Sequence, residues 1–250
     1  MMDARIRKKV RTDFFRWKEL VTNFNRFDTE HSLLNVLIEN RGAISCGIRE
    51  GTRIFRGRIY SRDKILSSDD QLVKFIEEES RDFEGFNAEE SGAPPKEFAT
   101  EGRLNCAGIS FLYTCSDPKT VVYELRPIKN EYISIAELST NRRLRFADLR
   151  KGAFSKFRDN DLLQQLTLLI AVEFSRPHYQ GHNYWFTQYL AGQFINMGFD
   201  GVVFSSSLYP EGDNLVFFYP EQCDVLNSRL YKVDKISISF DSITRKELLS

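Results

Sequence analysis

Several polar side chains stand where the neighbouring sequence is apolar. Arg56 sits in the middle of Ile54-Phe55-Arg56-Gly57-Arg58. Arg103 and Asn105 fall within Glu101-Gly102-Arg103-Leu104-Asn105, just ahead of an apolar segment that carries Tyr113. Glu124 interrupts Val121-Val122-Tyr123-Glu124-Leu125. Ser205, Ser206 and Ser207 end the run Gly201-Val202-Val203-Phe204, and Asn214 opens the next apolar run. Taken singly, each has a structural explanation: Arg and Glu in apolar strings pair with each other, and serines end strands. As a set, two arginines, one isolated carboxylate and a serine cluster suit a substrate with a diphosphate and a cationic leaving group. The planar guanidinium fork matches phosphate oxygens.

Other chemistries are poorly supplied. His178 and His182 have the i, i+4 spacing of metal ligands on a helix, but Gly181 lies between them and no third ligand stands out. No metal is expected. With only three histidines, a His-centred triad is not expected either, and no G-x-S-x-G elbow occurs. Neither G-x-G-x-x-G nor G-x-x-x-x-G-K-[ST] is present, so the usual phosphate-cradling loops are missing. Cys46, Cys106, Cys115 and Cys223 are too widely spaced for a zinc ribbon or a disulfide framework. They read as reduced, mostly buried thiols of a cytoplasmic protein.

The elements that must position these residues can be read from periodicity. Phe14, Trp17, Val21 and Phe24 share one face of a helix, and Leu33, Leu34, Leu37 and Ile38 repeat the pattern. Residues 1–48 are therefore expected to form a helical cap on a larger domain, 49–250. Arg53 to Tyr60 alternates as a strand does. A short helix is expected over Asp69–Glu79, then a long loop over Asp82–Arg103. Ser110–Cys115 reads as a strand. Asp117-Pro118 starts a helix, with Asp as N-cap and Pro at the first position, that ends near Arg126-Pro127. Strands are expected at Tyr132–Leu138, Leu144–Leu149, Gly201–Ser206 and Asn214–Tyr219. Helices are expected at Asp161–Phe174 and Tyr184–Met197, the second closed by Gly198. Ile236, Ile238 and Phe240 suggest a last strand. The mixture lacks a regular βαβ rhythm, which argues for an α+β fold.

Composition sets outer bounds. The chain has 250 residues, 42% of them hydrophobic, with 35 basic and 35 acidic side chains and a formal net charge of zero. That is globular composition, and it speaks against coating a nucleic acid by bulk charge. No apolar run approaches the ~18–20 residues of a membrane span. Charge is uneven: residues 1–26 hold eight bases against three acids, and residues 61–101 hold twelve acids against five bases. The two regions suit a contact within the fold or across a homodimer, and each also suits a solvated face.

The order of motifs resembles the RES domain family. The motifs are Phe55-Arg56-Gly57-Arg58, then Gly102-Arg103-Leu104-Asn105-x-x-Gly108-x-x-x-Leu112-Tyr113, then Glu124 eleven residues on. Tyr184-x-x-Thr187-Gln188-x-Leu190-Ala191, Gly198-Phe199-Asp200-Gly201-Val202-x-Phe204-x-Ser206-Ser207 and Asn214-Leu215-Val216-Phe217-Phe218 follow. The match covers about residues 50–220. Asn87 to Pro95 resembles longer members with an N-terminal helical region. Cys106 is a departure, since Pro is expected after Asn105.

The resemblance implies an ADP-ribosyltransferase-like mixed β core with flanking helices, and an enzyme that degrades NAD as the toxin of a toxin–antitoxin pair. It implies that Arg56 and Arg103 hold the diphosphate and that Tyr113 packs against nicotinamide or its ribose. Glu124 stabilises the oxocarbenium-like charge, and Ser206 orients ribose or the amide, with Ser205 and Ser207 as competing assignments. Asn105 and Asn214 complete the binding set. NAD is then the substrate and no cofactor is needed, with water or inorganic phosphate as acceptor. An antitoxin protein is the expected partner; membrane and nucleic acid are not. Transfer of ADP-ribose to a macromolecule, or an inert RES-like binding module, are the alternatives.

Overall fold

The computed structural model describes residues 4–60, 84–157, 159–176 and 184–237. Eight strands form one sheet, in the order β1-β5-β6-β7-β3-β2-β4-β8. They are β1 (Ser45–Ile48), β2 (Arg53–Tyr60), β3 (Leu112–Cys115), β4 (Tyr132–Thr140), β5 (Leu144–Asp148), β6 (Gly201–Ser205), β7 (Asp213–Phe217) and β8 (Cys223–Lys232). All neighbours are antiparallel except β5 and β6, which the intervening helices return in parallel. The described helices are α1 (Ala4–Asn23), α2 (Ser32–Glu39), α3 (Ala88–Ser91), α4 (Pro118–Leu125), α5 (Asp161–Ser175) and α6 (Trp185–Asn196). The fold is α+β.

The main core lies between α1, α2, α5 and α6 and one face of the sheet. Phe14, Trp17 and Val21 of α1 and Leu34 and Leu37 of α2 are fully buried there, with Leu166, Ile170 and Phe174 of α5 and Val202 of β6. Trp17 stacks on His31 at 5.0 Å and meets Phe186 of α6 edge-on at 5.3 Å. The opposite face packs Ile54, Leu138, Phe146, Val203 and Phe217. The N-terminal helices thus share their core with the sheet, and β1, which falls within residues 1–48, is the sheet's edge strand on β5.

Some expectations need correction. Phe24 is 79% exposed, because α1 ends at Asn23 and the chain turns there, with Phe24 and Asn25 both donating to Leu20 O. Val10, one turn before Phe14, extends the buried face at the other end of the helix. Ile38 is also partly exposed at the end of α2. The expected loop before Arg103 contains α3 and a 3-10 turn at Lys96–Phe98. A capping box drives α3: Asn87 accepts from Glu90 N at 2.9 Å and the Glu90 carboxylate accepts from Asn87 N. The last described strand is β8, and Ile236 lies beyond it. Weak alternation in Cys223–Lys232, with a bulge opposite Glu137/Leu138, hides β8 from the sequence. The helix expected over Asp69–Glu79, the pair His178/His182, and Ile238 and Phe240 lie outside the described residues.

The sheet is weakly joined at one place. β2 and β3 register at a single pair, Phe55 opposite Cys115, whereas β2 and β4 register over eight. The two halves of the sheet separate beyond that pair, and the cleft described next opens between them.

Candidate active site

A cleft of about 280 Å³ is lined by three consecutive residues from each separating strand: Phe55, Arg56 and Gly57 of β2, and Tyr113, Thr114 and Cys115 of β3. Side chains alternate along a strand, so both faces of the sheet contribute. Arg56 points away from the face that carries Gly57 yet borders the same space. Arg103, Glu124 and Asn214 enter from other elements, and Phe174, Phe204 and Val216 supply an apolar wall.

Glu124 is placed by α4. Asp117 caps the helix, accepting from Thr120 N at 3.0 Å, and Pro118 fills the first turn. The helix lies close on β2 because residue 57 is glycine. A Cβ there would strike Val121 Cγ1 and come within 2.7 Å of Leu125 Cδ1. One Glu124 oxygen, Oε1, accepts from Ser206 Oγ at 2.8 Å and from Asn214 Nδ2 at 2.7 Å. Asn214 is oriented in turn by the buried Cys115 thiol, which donates to its Oδ1 at 3.4 Å. Burial, then the charges of Glu124 and Asp117, push that thiol far up, so Cys115 is a neutral donor and not a nucleophile.

The serines separate by geometry. Ser205 opposes Asp213 in the β6–β7 register, accepts from Lys151 N at 3.3 Å, and is absent from the cleft lining. Ser206, 1% exposed, is likewise absent from the cleft lining and reaches the site only through Glu124, while its Oγ also accepts from Leu208 N and Tyr209 N at 3.1 Å. Ser207 is exposed and lines the cleft. The loop after it packs tightly on α4: a Cβ at Gly212 would collide with Thr120.

Both arginines line the same cleft, each held by a different element. Arg56 donates to Gly92 O, as does Arg58 at 3.2 Å. Burial, reinforced by Arg58, pushes Arg56 down to about 10, so it remains a cation at neutral pH. Arg103 Nη1 donates to Phe174 O at 2.7 Å, capping the C-terminal end of α5. Burial lowers Arg103 as well, and Tyr184, Glu124 and Tyr113 oppose that shift. Among the described residues neither guanidinium has a carboxylate within ion-pair distance.

Asn105 is not a lining residue. It is 5% exposed, and its Nδ2 donates to Thr100 O, Cys106 O and Ile109 O. Its Oδ1 accepts from Tyr113 Oη at 2.7 Å, and Tyr113 Oη accepts from Leu104 N. Asn105 therefore organises the Arg103 loop and orients Tyr113. Burial holds the Tyr113 phenol at about 12, so it stays protonated. Phe174, Ser175, Phe204 and Val216 went unrecognised in the sequence, because apolar and small residues inside regular elements carry no chemical signal.

A family model for the RES domain matches residues 77–241, more than half of the chain, and the chain belongs to that family. Arg56 precedes the matched range; its place in the cleft comes from the β2–β3 geometry. No curated protein matches the sequence. Among solved structures, the chain is similar to one described as the crystal structure of the M. tuberculosis MbcT–MbcA toxin–antitoxin complex, at 13% identity. The match covers 81% of this chain and 94% of that one, with a TM-score of 0.41. No helix among the described residues is long and apolar enough to cross a membrane, and none of their His, Cys, Asp and Glu side chains cluster as a metal site.

Proposed function

We propose that this cleft breaks the bond between nicotinamide and ribose in NAD and passes the ADP-ribosyl group to water or inorganic phosphate. The observation that carries the reading is the set of charges lining the one cleft. Glu124 is held by the neutral donors Ser206 and Asn214, while half-buried Arg56 and Arg103 have no carboxylate partner among the described residues. A half-buried cation without an anion is costly, and a diphosphate offsets that cost.

The chemistry follows from the substrate. Nicotinamide is already a cationic leaving group. As the C–N bond breaks, its electron pair stays on the ring nitrogen and neutralises it. Positive charge grows on the ribose, and a fixed carboxylate stabilises it there. The acceptor oxygen then bonds to the ribose carbon and releases its proton to solvent. No strong general acid is needed; orientation and electrostatics suffice. Tyr113 and the apolar wall of Phe174, Phe204 and Val216 suit the flat nicotinamide ring.

From family membership we propose further that the protein acts as a toxin restrained by an antitoxin protein. The test is incubation of the purified protein with NAD, with and without phosphate, and identification of products by mass. Release of nicotinamide, insensitive to chelator, is expected, with ADP-ribose or its phosphate ester as the second product. NAD left intact in both conditions would refute the reading. Expression without an antitoxin should arrest growth.

A further inference from the structure

The motif Tyr184-x-x-Thr187-Gln188 has no place in the chemistry above, yet the first turn of α6 makes a dense set of side-chain contacts with the Arg103 loop. Thr187 Oγ1 donates to Arg103 O at 2.5 Å. Gln188 Nε2 lies 3.0 Å from each of Gly102 O, Asn105 O and Glu101 Oε1, sharing its two protons among them. Three backbone carbonyls around Arg103, at positions 102, 103 and 105, are thus satisfied by two adjacent side chains of one helix. The loop itself satisfies one of the three, Gly102 N donating to Asn105 O at 2.9 Å, and has no regular structure to serve the other two. Buried carbonyls need partners, and partners on a rigid helix also fix position.

The remaining contacts of the loop point the same way. Its inner side is held by Asn105 and Tyr113, which pack close on Gly102: a Cβ there would approach Asn105 Oδ1 and come within 2.8 Å of Tyr113 Oη, so those side chains would have to shift. The Arg103 guanidinium has one nitrogen engaged by the end of α5. Its backbone is therefore tied to the start of α6 and its head to the end of α5. With both fixed, the direction of the remaining guanidinium N–H groups into the cleft is set.

We propose that Thr187 and Gln188 are positioning residues for substrate binding: they set the Arg103 loop so that Arg103 meets the diphosphate of NAD. The proposal rests on the reading of the cleft as an NAD site. Arg103 holds the diphosphate in ground and transition states alike, so a displaced loop raises KM and leaves kcat nearly alone.

The test compares Thr187→Val, Thr187→Ser and Gln188→Leu with Thr167→Val. Thr167 is buried in α5 and makes the same kind of hydroxyl-to-carbonyl bond, to Leu163 O at 2.8 Å, away from the cleft. Thr187→Val and Gln188→Leu should each raise KM for NAD about 10–100-fold with kcat within about threefold, the size of effect a misplaced binding group produces. Thr187→Ser should restore KM to within about twofold of the parent by keeping the hydroxyl. Thr167→Val should lower the melting temperature and leave KM unchanged. Wild-type KM in both Thr187→Val and Gln188→Leu would overturn the proposal, as would a KM rise in Thr167→Val equal to theirs. Hydrogen exchange of the 102–105 amides gives a readout free of activity. It should speed up in Thr187→Val and Gln188→Leu, and unchanged exchange in both would overturn the proposal even if the parent protein leaves NAD intact. An inert parent would instead refute the proposed function.

Discussion

Replacing Glu124 by Gln isolates charge from geometry. The amide oxygen of glutamine accepts from Ser206 Oγ and Asn214 Nδ2 as the carboxylate does, at 2.8 and 2.7 Å, so α4 and the serine loop stay joined. Glu124 forms no ion pair among the described residues, so the substitution strands no cation. In the proposed reaction, what is lost is the negative charge that stabilises the ribose as the glycosidic bond breaks. A preorganised contact of this kind is worth roughly 3–4 kcal/mol, or about 10²–10³ in rate. Because the charge it stabilises is absent from the ground state, the loss falls on kcat and not on binding. The expected outcome is a melting temperature within about 2 °C of the parent and NAD affinity near normal. Nicotinamide release should be at least about a hundredfold slower by the same estimate. The assay pairs a chromatographic measure of nicotinamide with calorimetric binding of NAD. Normal turnover in a normally folded Glu124→Gln protein would remove Glu124 from the chemistry. Joint loss of melting temperature, binding and turnover would show that it holds the fold instead.

The other predictions rest on separate parts of the molecule. Arg103→Ala should weaken NAD binding in calorimetry about 10–100-fold, since a guanidinium–diphosphate contact acts in both ground and transition states; unchanged affinity would place the diphosphate elsewhere. Gly57→Ala should force α4 off β2 through Val121 and Leu125, costing about 1–3 kcal/mol in thermal melting and slowing turnover by moving Glu124; a stable and active variant would contradict the close packing. Burial acts to raise the carboxyl of Asp148, but hydrogen bonds and charges from Arg150 and Lys156 outweigh it and hold the group below its ordinary value. Its contribution is therefore fully present above the unfolded value of about 4 and is lost as pH falls below it. Asp148→Asn should cost about 2–3 kcal/mol at neutral pH and flatten the acid limb of the stability curve, and an unchanged acid limb would refute the assignment.

Features that depend on near neighbours in sequence were legible. The buried face Phe14, Trp17, Val21 follows from helical spacing, and the start of α4 follows from Asp117-Pro118, because both rest on interactions three or four residues apart. Even there the reach was limited. Phe24 keeps the spacing but lies past the end of α1, where periodicity has no meaning. The strand β8 was missed because its partner β4 lies about ninety residues away and supplies the order that the sequence of β8 lacks. The residue types of the candidate site were legible as polar interruptions of apolar segments, in an order characteristic of the family.

Which of those residues meet was decided by the tertiary structure. Arg56 and Tyr113 border one space because β2 and β3 pair at a single position and then part. No local pattern encodes where two strands of a sheet stop pairing. The three consecutive serines are equivalent in sequence. The β6–β7 register turns Ser205 toward Asp213, and the turn beyond the strand brings Ser206 under Glu124 and leaves Ser207 at the cleft. Asn105 reads as a binding residue, yet its amide is consumed by three carbonyls of its own loop, since a buried irregular loop must satisfy its backbone before it can serve a ligand. Sequence alone determined which chemical groups are available and which helices and strands carry them. Their distances, their partners and their access to the cleft were decided by long-range pairing, because those depend on contacts between residues tens of positions apart.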